Sequence, residues 1–299
     1  MHNDRERFLD YLRFEKRSSV HTVTAYEIDL RQFSDYLAEQ YQLTDLTEAT
    51  HMIVRSWIVS LMEAGIDPRS VNRKITTLRT LYRFLIKTGR MQRSPMLKVQ
   101  APKTKKKLPE YIDEKKMEQL LQIEGDQPAD FMHFRNYLII DFFYRTGVRL
   151  SEMIQLKVSD VNLYNLTITV LGKRNKVRQI PITLGFKTLI EDYLGQRKKF
   201  IEEMGTDHPY FFVDNKGNQM SPGFVYTTVK NSISQVSTGQ KRSPHVLRHS
   251  FATAMLNHGA DINAIKELLG HSSLAATQVY THNSIEKLKE IYKQAFPKA

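Results

Sequence analysis

The sequence predicts a two-domain, mainly α-helical protein whose second domain carries a small β-hairpin. Three observations lead there. Its 299 residues are too many for one typical small core and suit two domains of ordinary size. The first hundred residues repeat apolar side chains at helical spacing, without a strand signal. Only around residues 166–182 does the apolar period shorten to two.

The first domain reads as four helices. Phe8, Leu9, Tyr11, Leu12 and Phe14 open an apolar face. Val23, Tyr26, Ile28, Leu30, Phe33 and Leu37 recur at near-helical spacing between Thr22 and Leu37. Ile53, Trp57, Ile58, Leu61 and Met62 form a third set, which stops at Gly65. A fourth begins after Asp67-Pro68, with Ser70 as the expected cap, and runs through Val71, Ile75, Leu78, Leu81, Tyr82 and Leu85 to Gly89. Arg69, Arg73, Lys74, Arg79 and Arg83 interleave with these apolar positions. They are either a solvated basic face or a helix laid against phosphates, and the sequence supports both.

Residues 98–109, KVQAPKTKKKLP, read as a linker between domain 1–97 and domain 110–299. Two prolines and a lysine run disfavour regular structure. Lys105 and Lys106 would stay extended by like-charge repulsion and suit a phosphate backbone.

The second domain starts with helices from about Asp113 to Leu121 and from about Asp130 to Arg145. Thr146-Gly147 breaks the second, and Ser151 is the expected cap of a helix starting at Glu152. Leu166, Ile168 and Val170, then Val177, Ile180 and Ile182, form a hairpin around the charged tip GKRN. Helices resume at Phe186 and again from about Pro244, with Gly259 and Gly270 separating three of them. The tail from Ser284 to Phe296 is amphipathic through Ile285, Leu288, Ile291, Tyr292 and Phe296.

Composition narrows the partner. Hydrophobic residues at 41% and charged residues at 25% make a globular balance. Lys and Arg number 44 against 32 Asp and Glu, a net charge of +12. Such a field favours a polyanion, nucleic acid first and an anionic membrane surface second. With no cysteine there is no disulfide scaffold, Cys-ligated zinc or Cys nucleophile. The charged N-terminus is unlike a signal peptide, and no run nears the ~18 apolar residues of a membrane span. A cytosolic location is expected.

Five basic side chains and one tyrosine stand out in the second domain. Arg149 lies between a helix break and a helix start in TGVRLSE, and Lys173 sits at the hairpin tip in LGKRNK. His245 and Arg248 are three apart in HVLRH and share a helix face. His271 follows a helix-ending glycine in LGHSS, and Tyr280 lies nine residues on in TQVYTH. Taken singly, each is more often a packing or surface residue; the case rests on the set. His245 and His249 have a zinc-compatible spacing, but Arg248 stands between them and no HExxH pattern is present. No metal or other cofactor is expected, and His249 reads as structural.

The set coincides with a family pattern. The chain resembles the tyrosine recombinases, and within them the bacterial Xer proteins. The resemblance is carried by TGVRLSEMIQLKVSDV, LGKRNKVRQIPI and SPHVLRHSFATAMLNHGADINAIKELLGHSSLAATQVYTH. It extends to HTVTAYEIDLRQFSDYL and SVNRKITTLRTLYRFLIKTG in the first domain and to the ending FPKA, so it spans nearly the whole chain. It implies a SAM-like core-binding domain and an α+β catalytic domain that together close on DNA as a C-shaped clamp. It implies Tyr280 as nucleophile, Arg149 and Arg248 on the scissile phosphate, His245 and His271 beside them, and Lys173 on the hairpin. Glu152 matches the acidic position that supports the arginines. The resemblance also implies four protomers on two DNA sites, exchanging C-terminal helices, with a DNA translocase as activator.

The chemistry agrees independently. Two guanidinium forks match a phosphodiester's charged oxygens and stay ionised at working pH. A phenol with an ordinary pKa of about 10 must shed its proton during attack. His245 or His271 could accept it, and the sequence does not assign which. Lys173 is the candidate acid for the leaving 5′ oxygen. The phosphotyrosine link conserves the phosphodiester energy, so rejoining needs no ATP. The expected function is Xer-type resolution of chromosome dimers. The alternatives are a mobile-element integrase with the same chemistry, a type IB topoisomerase and a DNA-binding protein without catalysis.

Overall fold

The computed structural model describes residues 4–104, 110–125, 130–172, 176–237, 239, 241–270 and 289–292. It divides into two units, Met1–Lys107 and Leu108–Ala299, each with its own apolar core.

The first unit contains α1 (Asp4–Asp10), α2 (Val20–Tyr41), α3 (His51–Glu63) and α4 (Pro68–Lys87). A π-helical turn, Tyr11–Glu15, extends α1. The core closes around Phe8, Leu30, Phe33, Trp57, Leu78 and Tyr82, with the Phe33 and Trp57 rings 4.8 Å apart. Asp67 rather than Ser70 caps α4, accepting the Arg69 N–H at 2.8 Å. Pro68 then occupies the first helical position, where its missing N–H costs no hydrogen bond.

The cations of α4 part company. Arg69, Arg73, Arg79 and Arg83 are exposed, whereas Lys74 is buried. The Lys74 ammonium lies 2.8 Å from Asp29 and donates also to Gln32. Arg73 and Thr77 donate to the other Asp29 oxygen. The expected phosphate role of Lys74 is therefore corrected. Lys74 is buried against a carboxylate that it shares with Arg73 and Thr77, whereas Arg73 remains exposed. Arg79 donates to the Val99 carbonyl at 3.0 Å, and Asn72 to that of Pro102 at 3.0 Å. The stretch read as a linker thus begins fastened to α4, while Lys105 and Lys106 lie outside the described residues.

The second unit is built on α5 (Glu114–Gly125) and α6 (Phe131–Thr146), then α7 (Leu150–Gln155). Next come strands β1 (Val161–Asn162), β2 (Thr167–Leu171) and β3 (Val177–Pro181). It continues through α8 (Leu184–Glu203), α9 (Pro222–Val236), α10 (Pro244–Asn257) and α11 (Ile262–Leu269). The expected hairpin is β2–β3, antiparallel, with Ile168 opposite Ile180. A third strand, β1, pairs with β2; its two residues are too few to leave a period in the sequence. Helix α6 is enclosed, with Leu138, Ile139, Ile140, Phe142 and Phe143 fully buried. Its buried polar residues are partnered, Asp141 by Arg145 at 2.7 Å and Arg135 by the Val213 carbonyl at 3.3 Å.

Gly147 ends α6 at φ +58°, in left-handed conformation. A Cβ there would fall 2.4 Å from Phe251 Cδ1 and 2.9 Å from Leu269 Cδ2. Glycine is thus required twice, by backbone and by space. Gly147→Ala is expected to destabilise the second unit by about 2–4 kcal/mol. A thermal melt should show the transition roughly 5–15 °C lower; an unchanged midpoint would contradict the close packing.

Helix α7 starts two residues earlier than expected. Arg149, not Ser151, is its N-cap, and Glu152 reaches back to accept the Arg149 N–H at 2.7 Å. Of the tail, residues 289–292 are described, and they are helical. Tyr292 is buried with Phe251, Met255, Ile265 and Leu268 of α10 and α11, and its hydroxyl donates to the Arg145 carbonyl at 3.0 Å. Among the described residues, no helix is long and apolar enough to cross a membrane.

Candidate active site

The break after α6, the start of α7, strand β3, helix α10 and the end of α11 deliver three arginines and one glutamate to a single locus. Glu152 is at its centre, with its side chain 2% exposed. It accepts from Arg178 through both oxygens, at 2.9 and 2.8 Å. It also accepts from the Arg149 guanidinium at 2.7 Å. Burial opposes ionisation of Glu152, but the hydrogen bonds and charge of Arg178, followed by those of Arg149, outweigh it. The result is a pKa of about 2.

The three arginines share a second anchor. Arg178 Nε donates to the Leu268 carbonyl at 2.6 Å, and Arg248 Nη2 to that of Leu269 at 2.5 Å. Arg149 Nη2 donates to the Gly270 carbonyl at 2.8 Å. Three successive carbonyls at the α11 C-terminus, which lack partners within the helix, each take one guanidinium. The negative end of the helix dipole adds to the attraction. Arg248 also donates to the Gly147 carbonyl at 2.5 Å, tying the end of α6 to the same point. Gly270 is left-handed, at φ +63°, and a Cβ there would stand 3.2 Å from Arg178 Nη1.

Three cations against one carboxylate leave a fixed positive field. Burial, then the Arg149 charge, lowers the pKa of Arg248 to about 10 against the pull of Glu152, so it remains cationic at neutral pH. The Arg149 side chain is 27% exposed and that of Arg178 only 5%, so Arg149 faces solvent while Arg178 backs it. His245 lies exposed one turn before Arg248 on α10, its ring 4.4 Å from that of His249. Partial burial and the charges of Arg248 and Lys241 lower its pKa.

Of the residues singled out in the sequence, Arg149, Glu152, Arg248 and His245 are placed by the structure, the first three in direct linkage through Glu152 and α11. Lys173, His271 and Tyr280 lie outside the described residues. The residues preceding Lys173 and His271 are described. Gly172, before Lys173, would place a Cβ 3.6 Å from Glu152 Oε1. Gly270, before His271, is held by Arg149.

Arg178 was not anticipated. A signal existed: it alternates in phase with Ile180 on β3, and both are buried. An arginine on the inward face of a strand requires a buried acceptor. Which acceptor was invisible, because Glu152 and Leu268 lie 26 and 90 residues away.

Comparison with known proteins extends the picture over the whole chain. Residues 110–287 match the phage integrase family, and residues 6–89 match the phage integrase N-terminal SAM-like domain. The tyrosine recombinase XerC of Chlorobaculum parvum is 37% identical over 317 aligned positions, covering 98% of this chain and 94% of that protein. XerC of Halalkalibacterium halodurans is 36% identical, covering 98% and 96%. Among solved structures, the XerH recombinase in a post-cleavage complex with difH DNA superposes with TM-score 0.70 at 22% identity, covering 97% of this chain and 84% of that one. The Tn1549 transposon integrase bound to transposon right-end DNA superposes with TM-score 0.73 at 17% identity, covering 97% and 99%. At these identities the structures speak for the fold.

Proposed function

Because the chain belongs to the phage integrase family and is a site-specific tyrosine recombinase of Xer type, we propose the following division of labour among its residues. Tyr280 attacks the scissile phosphate, forming a 3′-phosphotyrosyl bond and releasing the 5′ oxygen. Arg149 and Arg248 hold the non-bridging oxygens as charge builds in the transition state. Lys173 protonates the leaving oxygen. His245 takes up the phenolic proton or hydrogen-bonds the phosphate, with His271 as its companion. Glu152 orients Arg149. Rejoining reverses these steps with the 5′ hydroxyl of the partner strand.

The observation that supports this most is the joint anchoring of Arg149 and Arg248 on the last carbonyls before His271. The chain leaves the guanidinium pair directly into the segment that carries Tyr280. The test is covalent trapping on duplex DNA bearing the host's candidate recombination site, nicked beside the cleavage position. A protein–DNA adduct stable in denaturant is expected; none at all would refute the assigned chemistry.

The substrate is a double-stranded recombination site in the chromosome, and the role is resolution of chromosome dimers. Full-length similarity to proteins named XerC supports this over a mobile-element integrase. On DNA, Arg69, Arg73 and Arg79 of α4, with Lys105 and Lys106, contact the phosphate backbone. Four protomers assemble on two sites by passing their C-terminal helices to one another. Tyr292, seated in its own chain's α10–α11 socket, then fills the neighbour's equivalent socket. Removing the residues after His282 should abolish tetramers on DNA while leaving binding to a single site; persisting tetramers would refute helix exchange.

A further inference from the structure

We propose that Arg178 is a positioning residue for DNA cleavage, setting Arg149, the β2–β3 strands and the C-terminal end of α11 in one register. The inference deepens the assigned chemistry and rests on it.

Arg178 does not reach for DNA itself. Its side chain is 5% exposed. Each of its nitrogens is engaged, Nε by Leu268 and the two Nη atoms by Glu152. What it contacts are the supports of the reacting groups. Glu152 holds the Arg149 backbone N–H at 2.7 Å and its guanidinium at 2.7 Å, so the carboxylate that Arg178 orients sets the aim of Arg149. Leu268 is the first of the three carbonyls whose third, Gly270, Arg149 also holds. Arg178 and Arg149 thus both hold carbonyls at the α11 end, and His271 follows directly in the chain.

The hairpin is tied in as well. Arg178 lies on β3 opposite Val170 of β2, and Gly172 donates its N–H to the Lys176 carbonyl at 2.8 Å to begin the tip. A Cβ at Gly172 would lie 3.6 Å from Glu152 Oε1 and 3.7 Å from Arg178 Nη1. The strand that ends before Lys173 is therefore seated on the Glu152–Arg178 pair. A buried ion pair adds little stability over well-packed apolar residues of the same volume. What this one provides is direction, because a planar fork bonded at three points tolerates little rotation.

Lysine separates geometry from charge. An ammonium keeps the positive charge and most of the stem, but cannot span two carboxylate oxygens and the Leu268 carbonyl in a plane. The measurement is single-turnover adduct formation on the nicked recombination duplex at saturating protein, alongside DNA affinity and melting temperature. Arg178→Lys is expected to bind DNA within about threefold of the parent and to cleave roughly 10- to 100-fold more slowly, the range seen when partners of a site's primary residues are lost. Glu152→Gln should slow cleavage comparably. In the double variant the two losses should not multiply, since both act through one linkage.

An Arg178→Lys protein that cleaves at the parental rate, or losses that multiply in the double variant, would overturn the inference. Slow cleavage matched by an equal loss of DNA affinity or folded fraction would reduce Arg178 to a merely structural residue, and overturn it equally. A parent protein that forms no adduct sinks the assigned chemistry instead, and is recognised because it fails before any variant is compared.

Discussion

Tyr280→Phe protein should bind its recombination DNA with parental affinity and form no covalent adduct on a nicked duplex. Phenylalanine keeps the ring and loses only the oxygen proposed as the nucleophile. The groups proposed to hold the phosphate, Arg149, Arg248 and His245 among them, are untouched. The effect is therefore total rather than graded, since without that oxygen no phosphotyrosyl bond can form. A denaturing gel of labelled duplex separates free from protein-linked DNA, and a shift assay measures affinity on the same samples. A Tyr280→Phe protein that still becomes linked to DNA would place the nucleophile elsewhere in the chain.

Arg248→Ala carries the second largest effect, and it acts at two levels. A preorganised donor aimed at developing charge typically contributes a factor of about 10²–10³ in rate. Cleavage per folded molecule should fall by at least that much. Alanine also strands the carbonyls of Gly147 and Leu269, which Arg248 now caps from a buried position. Each orphaned buried acceptor costs about 1–3 kcal/mol, so the melting temperature should fall too. The two consequences separate when the single-turnover rate is divided by the folded fraction from circular dichroism. A corrected rate within about threefold of the parent would remove Arg248 from the reaction and leave it as a strut between α6 and α11.

The balance between binding and catalysis in these variants follows from where the charges lie. The exposed arginines of α4 and the excess of 12 positive charges are spread along the chain. Affinity for a polyanion sums over many such contacts. Transition-state stabilisation depends instead on a few guanidinium groups held without freedom to reorient. Losing one of them changes the rate far more than the affinity.

Much of this was open to a reader of the sequence. Helical periodicity and breakers located most helices of both units, though not α9 (Pro222–Val236), because an amphipathic helix writes its buried face at a fixed spacing. The hairpin was visible for the same reason at period two. The candidate residues were legible as a set because Arg149, His245, Arg248, His271 and Tyr280 stand in short stretches of dense pattern. Helix starts were read less well. Asp67 and Arg149 took the N-cap positions given to Ser70 and Ser151, since several residues in one turn can begin a helix and local geometry chooses among them.

By itself, the sequence determined the order of most elements, the positive charge and the candidate residues of the site, all legible from residue type, local spacing and motif. Only the tertiary structure decided that Lys74 belongs to Asp29 rather than to a phosphate. It alone showed that Arg178, a strand residue with no motif around it, grips Glu152. It alone revealed three arginines sharing three consecutive carbonyls of α11. These are partnerships across 26 to 121 residues. Periodicity reports which side of an element is buried, but the acceptor that waits there is chosen by how distant elements pack.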